Sequence, residues 1–120
     1  MTTTAHFMAT ARDDRSGKLD ANLIARAFGL SGRELALVLE RDPAGLKRHP
    51  TSAKLQPQLE RLERLALHLT AVFGNLELGR KWLRAPNPVL GGEAPLKYLL
   101  NRQPVAIERL LIMAETGMPT

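Results

Sequence analysis

The residues of this chain best suited to chemistry are basic and hydroxylic, and they crowd into one short stretch. Arg41, Lys47, Arg48 and Lys54 fall together against the single acid Asp42, with His49, Thr51 and Ser52 among them. Arginine and lysine pair with phosphates or with guanine edges, and hydroxyls suit phosphate oxygens. The chemistry on offer is therefore polyanion binding, with DNA as the partner those groups would fit. A solvated surface connection is the plainer reading of the same composition.

Other chemistries find little support. His6, His49 and His68 are isolated and share no metal-ligand spacing with one another or with carboxylates. The 120 residues include no cysteine, so disulfides and thiolate metal sites are excluded. No Ser or Thr lies in a nucleophile-elbow context. Gly91-Gly92 sits between Leu90 and Glu93 without the lysine of a phosphate loop. The carboxylates are mostly interleaved with arginines, a pattern of solvated faces and ion pairs. An enzyme, a bound metal and a cofactor are all unexpected. The formal net charge of +5 adds a mild attraction to polyanions. No run approaches the roughly 18 apolar residues of a membrane span. Met1–Ser16 carries Arg12, Asp13, Asp14 and Arg15 in place of a signal peptide's apolar core, so cytoplasm is the expected location.

The elements that must position these residues are helical. With 44% apolar residues but only three Phe, one Trp and one Tyr, the core has to be built from Leu and Ala. Leu23, Ile24, Ala27 and Phe28 recur at helical spacing, with Asp20 as a cap and Gly29 as a left-handed stop. Ser31 followed by Glu34 is a capping-box signature opening a helix that carries Leu35, Val38 and Leu39. Asp42-Pro43 starts a short helix that closes before Pro50. The longest helix is expected over about 57–73, with a stripe of Leu59, Leu62, Leu65, Ala66, Leu69, Val72 and Phe73, a Glu60–Arg64 pair outside, and Gly74 as the stop. Helices then follow at 76–84, after Pro95 and after Pro104, the last ending at Gly117. Nothing alternates with period two, so no strand is predicted. Three short helices with a tight Gly-Leu-Ser turn fit a helix-turn-helix layout. Its recognition helix would be short, because Pro43 and Pro50 bound it.

The second half holds the most specific pattern. Trp82-Leu83, then Pro86-Asn87, then Leu90-Gly91-Gly92, then Pro95-Leu96 follow in that order. Trp82 is the only indole available to anchor a small module, and the prolines and glycines restrict the loop. The run from Gly79 to Leu96 resembles the C-terminal toxin-binding domain of the Xre/MbcA/ParS antitoxin family. The resemblance extends over roughly 57–118, and more loosely over the helix-turn-helix part from 19 to 54.

The expected architecture is all-α: Xre-like, helix-turn-helix-like N-terminal helices packed with a C-terminal helical module. Residues 1–18 would be a flexible leader, 19–74 a DNA-binding or dimerisation module, and 75–120 the toxin-binding module. The resemblance implies an antitoxin of a type II toxin–antitoxin pair whose partner is a RES-domain toxin consuming NAD. It implies a homodimer within a larger complex that covers the toxin's active site and represses its own promoter through operator DNA. The chain itself would need no cofactor. The residues expected at the toxin are Pro86, Asn87, Gly91 and Gly92 in the loop, with Ile112, Met113, Glu115, Thr116, Gly117, Met118, Pro119 and Thr120 at the end. Met113 and Met118 offer adaptable apolar contacts, and Glu115 could reach basic groups that otherwise hold NAD phosphates. Two alternatives stand beside this: a solitary helix-turn-helix regulator whose C-terminal module dimerises, and a helical adaptor that binds only protein.

Overall fold

The structure is a computed structural model and describes residues 11–117. His6 and most of the expected leader lie outside the described residues, as do Met118, Pro119 and Thr120 of the expected toxin contacts. Among the described residues the chain is all-helical, with no strand. None of its helices is long and apolar enough to cross a membrane.

Helix α1 spans Ala21–Phe28. Asp20 caps it by accepting from the Asn22 and Leu23 amides, and Gly29 ends it in the left-handed region at φ 69°. The Leu30 amide then reaches back to the Ala25 carbonyl at 2.8 Å, which turns the chain sharply. Helix α2 spans Gly32–Leu39, and both hydrogen bonds of the Ser31/Glu34 capping box are present. Helix α3 spans Pro43–Arg48, with Pro43 in the first turn and the Asp42 carboxylate accepting from the Gly45 amide at 3.1 Å. A 3₁₀ turn at Ala53–Leu55 leads into α4, Gln56–Phe73, which Gly74 stops at φ 89°.

Helix α4 is the central post, with α1, α5 and α7 packed against it. Helix α5 spans Leu76–Arg84 and α6 spans Leu96–Leu100, separated by a 3₁₀ turn at Pro88–Leu90. Helix α7 spans Pro104–Glu115. Leu19, Ile24, Leu59, Leu69, Leu83, Ile107 and Leu111 are enclosed in one aliphatic core drawn from both halves. Full burial of each such side chain contributes about 1.5–3 kcal/mol before entropy is subtracted. Helices α4 and α5 approach closely at Gly79, where a Cβ would lie 3.1 Å from the Leu69 Cβ. Phe73 and Trp82 bridge the same pair, their ring centroids 5.4 Å apart.

Two expectations are corrected here. The leader expected to fray through residue 18 is already folded from residue 11. Ala11 and Leu19 are buried, and a single antiparallel bridge pairs Arg12 with Leu19. Arg12 also donates to both oxygens of Glu63 on α4, at 3.1 and 3.2 Å. Gln56 fixes the same segment by exchanging two 2.9 Å hydrogen bonds with the Leu19 backbone. The second correction concerns α4, where no ion pair joins Glu60 to Arg64. Arg61 instead crosses to Glu108 of α7 at 3.6 Å. A partner on a packed helix restrains its arginine more than one on the same solvated face.

Candidate functional site

The residues singled out from the sequence fall into two sets. The first is built around α3. Arg41, Lys47, Arg48, His49 and Lys54 are exposed, and Thr51 and Ser52 are half-buried. Helix α3 stands between two shallow concavities, with buried Leu46 at the base of both. On one side Arg41, His49, Ser52 and Lys54 come together. On the other, Lys47 faces Arg26 of α1 and Arg33 of α2. Arg48 and Thr51 line neither concavity. The loop after α3 is braced: the Ser52 hydroxyl accepts from the Lys54 amide at 3.3 Å, and Gln56 donates to the Thr51 and Ser52 carbonyls at 3.4 Å.

Electrostatics sharpen this surface. Among the described residues, none of Arg26, Arg33, Arg41, Lys47, Arg48 and Lys54 makes an ion pair. Most nearby acids are engaged, although Asp13, Asp14 and Asp20 share a concavity with Arg26. Asp20 and Asp42 cap helices, while Glu34 and Glu40 pair with Arg84 and Arg102 from the second half. Arg84 lies 2.9 Å from Glu34, whose carboxyl is held below the usual range by that hydrogen bond and then by the Ser31 amide. Around α3 the region therefore presents an excess of exposed cations without ion-pair partners. Arg26 and Arg33 were missed in the sequence because they belong to helices before the basic stretch and join it only through the turn at Gly29.

The second set lies on the loop after α5 and on the outer face of α7. Pro86, Gly91 and Gly92 are exposed, the glycines at φ 67° and 90°. Asn87 is the correction. It is 3% exposed, its side-chain oxygen accepts from the Val89 amide, and its backbone is bonded to Leu90, Gly92 and Glu93. Its polar groups close the loop from inside, so the structure gives it a bracing place and not the exposed one expected of a contact. Trp82 is half-buried against the core, as an architectural ring would be.

On α7, Ile107, Leu110 and Leu111 face the core, which leaves Val105, Arg109, Ile112 and Thr116 outward at helical spacing. Val105 is 46% and Ile112 53% exposed, so two branched apolar side chains face solvent one above the other. Met113 is half-buried, and Gly117 is exposed at φ 80°. The Thr116 hydroxyl donates to the Met113 carbonyl at 3.1 Å. Glu115 is exposed and one of its carboxylate oxygens is joined to His68 of α4, which leaves the other oxygen toward solvent. Val105 was also missed, although its seven-residue spacing from Ile112 was the available signal.

The two sets differ in how their surroundings treat charge. In the second half Lys81 pairs with Glu77, Lys97 with Glu93, and Arg80 donates to the Ala27 carbonyl at 3.0 Å. The described residues contain no cluster of His, Asp and Glu that could hold a metal ion.

Compared with known protein families, residues 68–115 match the family model of the antitoxin Xre/MbcA/ParS C-terminal toxin-binding domain. The matched segment runs from the last third of α4 to the end of α7 and so includes the loop, Trp82, Val105 and Ile112. No curated protein and no solved structure matches the chain.

Proposed function

From the premise that residues 68–115 form the toxin-binding domain of an Xre/MbcA/ParS antitoxin, we propose that this chain neutralises a RES-domain toxin that consumes NAD, covering the toxin's active site with the outer face of α7 and the residues after it. The observation that carries the reading is the solvent-facing pair Val105 and Ile112 on the matched domain. Exposed branched residues aligned on one helix face gain most from being covered by a complementary surface. Pro86, Gly91 and Gly92 supply a second exposed, conformationally restricted segment of the same domain, and Asn87 holds it in shape. The chain acts by binding, and NAD is the toxin's substrate, so no cofactor is required here.

The same chain represses its own promoter as a homodimer, with α3 directed at operator DNA. The unpaired cations on either side of α3 support this part of the reading. Arg26, Arg33 and Lys47 would meet phosphates on one side, and Arg41 and Lys54 on the other. The toxin-binding part is tested by deleting residues 112–120. Neutralisation in cells is expected to disappear while helicity stays close to that of the full chain. A truncated chain that still protects cells would place the toxin contact elsewhere.

A further inference from the structure

Helix α2 has a carboxylate at each end, and both are gripped from the toxin-binding half. At its start, Arg84 donates through Nη2 to Glu34 at 2.9 Å and to the Gly29 carbonyl at 2.7 Å, with Nη1 3.5 Å from the second Glu34 oxygen. At its end, Arg102 places Nε 3.1 Å from Glu40. Glu40 and Arg102 are the non-glycine residues in the left-handed region among those described, at φ 54° and 59°. That conformation costs roughly 1–2 kcal/mol per residue. At Glu40 it closes the helix, with the Glu40 and Arg41 amides bonded back to the Leu37 and Ala36 carbonyls, and the paired side chains lie at the surface.

Each gripped glutamate has an unpaired arginine as its chain neighbour: Arg33 beside Glu34, and Arg41 beside Glu40. Left free, either carboxylate would lie well within the roughly 8–10 Å over which charges act at moderate salt. It would then weaken the attraction of its neighbour for a phosphate. With the carboxylates held by Arg84 and Arg102, the field around Arg33 and Arg41 stays positive.

We propose that Arg84 and Arg102 are positioning residues for DNA binding: by sequestering Glu34 and Glu40 they leave Arg33 and Arg41 free to meet the phosphate backbone. This rests on the operator-binding reading above. It makes the toxin-binding half a contributor to DNA affinity although neither residue need touch DNA.

The test is a double-mutant cycle on the full chain, read as affinity for a duplex oligonucleotide spanning the DNA upstream of its gene. Arg84→Gln and Arg102→Gln should each weaken binding about threefold to fivefold, the scale of one surface charge interaction. Glu34→Gln and Glu40→Gln should bind at least as well as the unaltered chain. Each matched double variant should recover unaltered affinity, because the interfering carboxylate has gone too. Glutamine at position 34 keeps the capping box available, so α2 is preserved. A purely structural latch gives the opposite pattern, with Arg single, Glu single and double variants all weakened alike. That pattern, or unchanged affinity in both arginine variants, overturns the proposal while operator binding stands. Failure of the unaltered chain to bind the oligonucleotide overturns the operator reading and this proposal together.

Discussion

The N-terminal helices and the matched C-terminal domain treat their charged residues in opposite ways. Around α3 the cations face solvent without partners, and most nearby acids are occupied by helix caps or by arginines from elsewhere. In the C-terminal domain most cations are paired or bonded to backbone, and the outward face of α7 carries the apolar Val105 and Ile112 on either side of Arg109. The difference agrees with the two kinds of partner proposed for these regions. Unpaired cations favour a polyanion and give salt-sensitive binding. An apolar stripe favours a protein surface, with affinity set by burial. Arg80 and Arg84 join the two regions, since both donate to carbonyls at the C-terminal end of α1, where the helix dipole favours positive charge.

The comparison breaks most visibly at the apolar stripe. Val105→Glu combined with Ile112→Glu should reduce toxin capture by about a hundredfold or more, as loss of a central apolar contact does. The melting temperature should stay nearly unchanged, because both side chains already face water. Calorimetric titration of toxin against the variant checks this, and unimpaired capture would return the stripe to ordinary surface.

A smaller effect should sharpen the basic side. Lys47→Ala with Arg41→Ala, one from each side of α3, should weaken operator binding by about tenfold and make the salt dependence shallower by about two phosphate contacts. Toxin capture should not change. Binding measured across a salt series decides it: an unaltered slope would mean that α3 does not meet the phosphates.

The smallest effect concerns the junction. The Glu34 carboxyl is held below its ordinary value of 4.5, chiefly by Arg84. A depressed carboxylate stabilises the fold above its ordinary value, and the contribution fades as pH falls through the depressed one. Glu34→Gln should therefore cost about 0.5 kcal/mol near neutral pH, discounted for solvent screening. Melting curves of the two proteins should converge as the solution is acidified below 4.5. A difference that persists in acid would mean that the glutamine disturbs α2 by another route.

What was legible in the sequence is mostly what short-range chemistry determines. Asp20, Ser31 with Glu34, and Asp42-Pro43 announce helix starts through hydrogen bonds within three residues, and all form. Gly29 and Gly74 announce stops because they enter the left-handed region at little cost. Glu40 ends α2 in that same conformation without a glycine's warning, and its partner Arg102 lies on a distant turn. The ties that assemble the fold span many positions: Arg12 to Glu63 over 51, Arg84 to Glu34 over 50, and His68 to Glu115 over 47. Such pairs depend on how helices pack, which periodicity does not encode. Asn87 misled for a related reason. A polar residue in a proline turn reads as exposed, yet here its amide is the hub on which the loop closes. Arg26 and Arg33 escaped notice because each sits singly on an amphipathic helix, where a cation usually marks only the solvated side.

The central claim, that the C-terminal domain captures and silences an NAD-consuming toxin, is tested most directly by co-expressing the full chain with the product of the adjacent gene. The pair is purified by size exclusion, and NAD consumption is measured before and after the chain is removed. The account predicts a stable complex that leaves NAD intact and a freed partner that consumes it. A partner that fails to associate, or that consumes NAD equally fast with the chain bound, would contradict it.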